Sequence, residues 1–516
     1  MMCGIMNRTN NAIRNIIWGI VGKIVTLGMP FLTRTVMIYT MGMEYVGLGS
    51  LFTSILQVLS FAELGIGSTL VFSMYKPIAE GDDERVCALL NFYRKTYRII
   101  GGIILSIGLF MLIFLKYLIA GDIPDGINIQ LLFVIYLINN VLGYFLFAYK
   151  QSLFTASQRI DMISKIGMVL QLVSNICQIF VLVIFRDYYF YVIIIPIITC
   201  INNIIIAYLT NRYYPQYKCC GVLEKKELSS IKKKVSGMMF QKIGGIVLTS
   251  VDTLVISSFL GLVQLAQYQN YYYIISALFG ILTVIQQSLV AGIGNSVALE
   301  SFRKNYINFK KFNFVYIWIV SWCTICLLCL FQPFMELWVG KSNTFSNYIM
   351  VLFCFYFYIY KWCDMLAVYQ EACGIWWESK FVPLTAAMVN LITNIFLIKI
   401  IGIAGVLIST IISILFIYDT GYARVLFNTY FRKVNKGLFK FWIRQGKYFI
   451  TLMMVSFITV LICDFVIIDN IMGKLIIRSL ICILLPNLLF ILIWKKFPEF
   501  QYIKEILKKI SRKKRC

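Results

Sequence analysis

The sequence predicts an all-α polytopic membrane protein with about fourteen transmembrane helices. Three observations carry that expectation. The 516 residues are 60% hydrophobic, and a formal charge of +25 falls mostly in short gaps between long apolar runs. The runs reach the roughly 20 residues a bilayer-spanning helix needs, without the alternation of barrel strands. No soluble stretch of useful size interrupts them, and a helix satisfies all its own amides in lipid.

Helices 1 to 6 are expected at 12–40, 44–76, 88–118, 128–156, 161–185 and 188–210, forming an N-lobe over 1–212. The first run is too long for a secretory signal core and has no small-residue cleavage site, so it stays as helix 1. Met6 reads as well as Met1 for a start. Pro30 inside that helix reads either as simple helix shape or as a bending point for opening and closing. The basic linker 213–235, rich in Lys225, Lys226, Lys232, Lys233 and Lys234, is the longest internal gap. Helices 7 to 12, at 236–260, 265–298, 312–333, 346–371, 378–399 and 401–426, form a C-lobe over 236–427. Helices 13 and 14, at 447–468 and 472–494, occupy 428–494. The tail, 495–516, spaces Ile503, Ile506, Leu507 and Ile510 as an amphipathic surface helix on anionic lipid.

With the N-terminus inside, all but nine of the 48 lysines and arginines face the cytoplasm. Both termini are therefore expected there. The basic balance follows from this topology and from inner-leaflet lipid, so no nucleic-acid partner is expected.

Short internal echoes suggest two pseudo-symmetric six-helix lobes. Helix 2 ends near GIGS (65–68) and helix 8 near GIGN (292–295). Helix 1 carries Arg34-Thr35-Val36 and then Gly42, while helix 7 carries Asp252-Thr253-Leu254 and then Gly261.

Few residues offer chemistry. The fifteen cysteines, such as Cys323, Cys326 and Cys329, sit mostly in apolar runs as small packing residues. No CxxC pair comes with a second pair or a histidine, so no metal site is expected. No Walker loop or nucleophile–base arrangement appears, so ATP-driven pumping by this chain alone is not expected, and neither catalytic residues nor a cofactor are expected. Lys23, Arg34 and Lys361 fall within the apolar runs. A charge at the bilayer centre costs about 2.5–3.5 kcal/mol on insertion scales, so it has an assigned role. Cations in a wet cavity suit an anionic substrate.

Seven stretches resemble the Wzx-type polysaccharide and O-antigen flippases of the multidrug/oligosaccharidyl-lipid/polysaccharide exporter superfamily. They are YTMGMEYVGLGSL (39–51), ELGIGS (63–68), SMYKP (73–77), FYRKTYR (92–98), YKQSLFTASQR (149–159), NRYYP (211–215) and GIGNS (292–296). The resemblance implies two six-helix lobes around a central cavity, followed by two further helices. It implies alternating-access transport of an undecaprenyl-diphosphate-linked oligosaccharide across the bacterial cytoplasmic membrane for surface polysaccharide. It also implies neighbouring polysaccharide-assembly proteins as partners.

Such a substrate requires cations for its diphosphate, and Lys361, Lys23 and Arg34 are the candidates. Each has a plainer reading. Asp364 lies one helical turn from Lys361 and would neutralise it, and Lys23 and Arg34 lie within reach of the interfaces. Arg34 and Asp252 are expected at similar depth, as an outer-gate pair. Glu63, Asp252 and Asp364 are candidates for a coupling proton or sodium ion, or for ion pairing; a histidine relay is excluded because the chain has none. Tyr268, Gln269, Asn270 and Tyr272 combine rings with amides, which suits sugars, although tyrosines near span ends also form interfacial belts. Competing functions are a multidrug or cation exporter with an acidic cavity, a flippase for the peptidoglycan lipid precursor, a membrane polysaccharide-assembly enzyme, and a scaffold.

Overall fold

The computed structural model describes residues 22, 25–63, 65–121, 123–434, 436–465, 468 and 470–501. Lys23, Met6 and the tail helix expected over 502–516 lie outside them. Every regular element among the described residues is helical, as the composition predicts. Among the described residues, nine helices are long and apolar enough to cross a membrane, or ten counting one bent pair. One of the nine, Gly244–Leu299, has 56 residues. At about 1.5 Å per residue it is far longer than a hydrocarbon core of about 30 Å, so it accounts for two of the expected segments. The chain is a multi-pass membrane protein.

Packing divides the chain into two compact units, Met1–Ala266 and Gln267–Cys516. In the first, α1 (25–40) and α2 (Met43–Leu59) lead through a 3₁₀ turn, Ser60–Glu63, into α3 (Ile66–Glu80). Then come α4 (Asp83–Met111), α5 (Ile129–Phe145), α6 (Gln151–Ala156), α7 (Ile160–Ile184) and α8 (Tyr188–Tyr213). Local chemistry sets the starts. Asp82, Asn128 and Asp187 each accept a bond from an amide in the first turn of the helix that follows, at 3.0, 3.1 and 3.0 Å.

The run α9 (Lys225–Leu299) carries its break at Gly261, with φ 87° and ψ 179°. Gly42, between α1 and α2, has nearly the same backbone, φ 109° and ψ 175°, so that sequence echo has a structural counterpart. The other echo does not: Gly65 breaks the chain at φ 87°, whereas Gly292 and Gly294 lie inside α9. The α9 break is anchored within the first unit. Ala120 N donates to Ser257 O at 2.9 Å, Ser257 Oγ donates to Leu118 O at 2.7 Å, and Gly47 of α2 packs on the Leu262 carbonyl.

The second unit continues from the later part of α9 through α10 (Phe302–Val339), α11 (Asn347–Trp362), α12 (Asp364–Cys373), α13 (Trp376–Ser379), α14 (Val382–Ile401) and α15 (Ile403–Ile412). A π-helical segment, Ser413–Asp419, joins α15 to α16 (Thr420–Thr429). The chain closes with α17 (Gly437–Asp464) and α18 (Ile471–Trp494). Amides join helices inside each unit: Thr33 to Asn175 and Thr199 to Asn139 in the first, Asn390 to Thr410 in the second.

Candidate functional site

In the first unit the carboxylate of Glu63 is held in a cage of tyrosines. Tyr97 Oη donates to Glu63 Oε1 at 2.5 Å, Tyr144 Oη donates to Oε2 at 2.5 Å, and Tyr93 Oη donates to Tyr97 Oη at 3.0 Å. Helix geometry delivers the parts. Tyr93 and Tyr97 are four residues apart and share one face of α4, Tyr144 ends α5, and Glu63 sits where the 3₁₀ turn breaks the path from α2 to α3. Gly67 leaves room for the cage, since a Cβ there would lie 2.8 Å from Tyr93 Oη.

Two cavities meet at Glu63. One, of about 540 Å³, also has Gln57, Ser60, Ser68, Asn139 and Asn140 in its wall. The other, of about 430 Å³, is bounded further by Tyr93, Tyr97, Tyr144, Gln151 and Thr155. Hydroxyls, amides and one carboxylate thus face hollow space inside a bundle of apolar helices, where unpaired polar groups are costly. Three of the seven stretches quoted above converge here: ELGIGS supplies Glu63, FYRKTYR supplies Tyr93 and Tyr97, and YKQSLFTASQR supplies Gln151 and Thr155. The tyrosines were not among the sequence candidates; their four-residue spacing inside a basic motif was the available signal.

In the second unit Lys361 Nζ lies 2.9 Å from Asp364 Oδ2. Lys361 is only 5% exposed. Its ammonium also sits over the rings of Phe279 at 4.7 Å and Tyr360 at 5.3 Å. Asp364 Oδ2 accepts from Tyr316 Oη at 2.7 Å and from Gln286 Nε2. Of the two readings of Lys361, the local pairing is therefore observed. The break between α11 and α12 is braced from both sides. Trp362 Nε1 donates to Asp419 Oδ2 at 2.6 Å, and Gln445 Nε2 donates to Trp362 O at 3.1 Å. Asp419 is buried and closes the π-helical segment, a feature frequent at functional sites. It escaped the sequence reading because it ends a long apolar run.

The remaining candidates are distributed. Arg34 on α1 and Asp252 on α9 both belong to the first unit, and Asp252 is buried. Tyr268 and Asn270 are buried, Tyr268 against Phe353 of α11 with ring centroids 5.3 Å apart. Gln269 and Tyr272 are half-buried. Among the described residues, Cys329, Cys463 and Cys482 gather their sulfurs within 4.8 Å. The expectation of no metal site considered only spacing along the chain and did not foresee this grouping.

A family described as "Polysaccharide biosynthesis protein" matches residues 12–290. Among solved structures, the chain is similar to the lipid II flippase MurJ in an inward closed conformation, with a TM-score of 0.68 and 16% identity, covering 93% of this chain and 98% of that one. It is similar to an inward-facing multidrug resistance MATE family transporter of the MOP superfamily, at TM-score 0.61 and 11% identity over 81% and 98% of the two chains. It is also similar to the MATE transporter VcmN of Vibrio cholerae, at 0.54 and 15% over 84% and 99%. No curated protein matches. At these identities the structural likeness establishes the fold, which is MATE-like.

Proposed function

We propose, from the premise that this chain belongs to the polysaccharide biosynthesis protein family, that it moves an undecaprenyl-diphosphate-linked oligosaccharide from the inner to the outer leaflet of the bacterial cytoplasmic membrane. The reading is a transporter working by alternating access, not an enzyme, with both termini cytoplasmic. One observation carries it: three stretches shared with polysaccharide flippases converge on polar cavities around Glu63. Sugar hydroxyls crossing lipid need donors and acceptors to replace water, and Gln57, Asn139, Asn140, Gln151 and the tyrosines offer both.

In this scheme the diphosphate is met by cations. Arg34 is suited to bidentate phosphate contact. Lys361 would reach a phosphate only by leaving Asp364, so a substrate that takes Lys361 also frees an acid. Glu63, Asp252 and Asp364 are the proposed sites for a coupling proton or sodium ion.

A second reading, export of organic cations, is favoured by one observation, the Glu63 carboxylate at the junction of both cavities. The two separate in one experiment. In a strain lacking this chain, the lipid-linked repeat should accumulate on the cytoplasmic side and surface polysaccharide should fall, with both restored by the wild-type chain. Unchanged polysaccharide together with increased sensitivity to cationic dyes would select the exporter.

A further inference from the structure

Outside the cavities, one cluster of reactive side chains has no part in the proposed transport. Cys329 on α10, Cys463 at the end of α17 and Cys482 on α18 come from three helices, and their sulfurs all lie within 4.8 Å of one another. Each is 1% exposed or less. Cys326, one turn before Cys329 on α10, also interacts with the Cys482 thiol. Buried cysteines commonly act as small hydrophobes, but packing alone does not require sulfurs from three helices to converge.

A second observation points to a charged occupant. Arg478 lies one turn from Cys482 on α18 and interacts electrostatically with both Cys463 and Cys482. Its Nη1 donates to Cys329 O at 3.2 Å and its Nη2 pairs with Asp464 at 2.9 Å, which fixes the guanidinium beside the cluster. Its Nε is buried without a hydrogen-bond partner. Asp464 answers one end of the guanidinium, whereas its buried Nε has no partner, and metal-bound thiolates beside it would supply negative charge that neutral thiols do not.

We propose that Cys329, Cys463 and Cys482 form a zinc site that staples α10, α17 and α18 through three thiolate ligands. Thiolates select soft d¹⁰ ions, and the set offers neither the imidazole nor the oxygen donors that suit other metals. A Zn–S bond of about 2.3 Å puts tetrahedral sulfurs roughly 3.8 Å apart, so closure on the ion needs a contraction of about an ångström. Each ligating thiol releases its proton to water as the ion binds. Three thiolates and Zn²⁺ carry one negative charge beside Arg478; monovalent copper would leave two.

The test is elemental analysis of the full-length protein, purified in detergent without chelators. About one zinc per chain is expected. Cobalt added to the metal-free protein should give sulfur-to-cobalt charge-transfer absorption, which reports thiolate ligation in the wild type independently of any variant. Cys463→Ser and Cys482→Ser, each checked for helicity and monodispersity, should reduce zinc content at least tenfold, while the exposed Cys177→Ser should keep it. A zinc-free chain with fifteen free thiols that gives no cobalt band would overturn the site. So would a disulfide within the cluster, copper in place of zinc, or full zinc retention in both cluster variants.

Discussion

Lys361 and Asp364 close a 2.9 Å ion pair across the break between α11 and α12, with Tyr316 and Gln286 donating to the same carboxylate. Removing one partner of a buried pair leaves an uncompensated charge and costs about 3–5 kcal/mol. Asp364→Asn should therefore destabilise the protein strongly. Lys361→Met should cost less, because Asp364 keeps two donors. The double variant Lys361→Met/Asp364→Asn should recover much of the Asp364→Asn loss. Thermal unfolding in detergent measures all three, and equal losses for single and double variants would show that the pair is not the relevant contact.

The Glu63 cage makes a separate prediction. Tyr97→Phe and Tyr144→Phe each delete one donor to a charged acceptor, an interaction worth about 1.5–3 kcal/mol. Each should lower stability in that range, and Glu63→Ala should reduce surface polysaccharide at least tenfold. Quantification of polysaccharide against protein level in the membrane is the measurement. Normal polysaccharide in Glu63→Ala would remove this carboxylate from transport.

Close backbone approach limits what α2 tolerates. A Cβ on Gly47 would lie 2.2 Å from Leu262 O, and one on Gly261 would lie 2.7 Å from Ala120 O with φ at +87°. Neither neighbour is a flexible side-chain tip, so both Gly47→Ala and Gly261→Ala should destabilise by at least the 1–3 kcal/mol typical of overpacking. Gly446→Ala, where nothing lies within 4 Å, serves as the control and should be near neutral. Unfolding midpoints of the three variants settle it.

Arg34 and Asp252 yield a test by exchange. If they form a gate pair, Arg34→Asp and Asp252→Arg should each abolish transport, and the doubly swapped chain should restore a substantial part of it. Complementation of polysaccharide export is the assay. Failure of the swapped chain to restore any export, at normal membrane levels, would end the gate proposal.

Much of the architecture was legible along the chain because it depends on local periodicity. Length and apolarity specify spanning helices. Lys361 and Asp364 were legible as a pair because three residues along a helix bring side chains together. Glu63 was recognised as an intramembrane acid, but its tyrosines were not, since the 3₁₀ turn Ser60–Glu63, α4 and α5 have to pack before those hydroxyls meet a carboxylate. Asp419 stayed hidden at the end of an apolar run, and its partner Trp362 lies on another helix.

Sequence was sufficient for the helical class, the membrane setting and the motifs shared with polysaccharide flippases, since hydropathy and spacing are properties of neighbouring residues. Packing was needed to assemble the tyrosine cage around Glu63, to bury Lys361 with its counter-charge, and to draw Cys329, Cys463 and Cys482 to one point. Those relationships join residues far apart in the chain, and three-dimensional contact between helices alone specifies which of them meet.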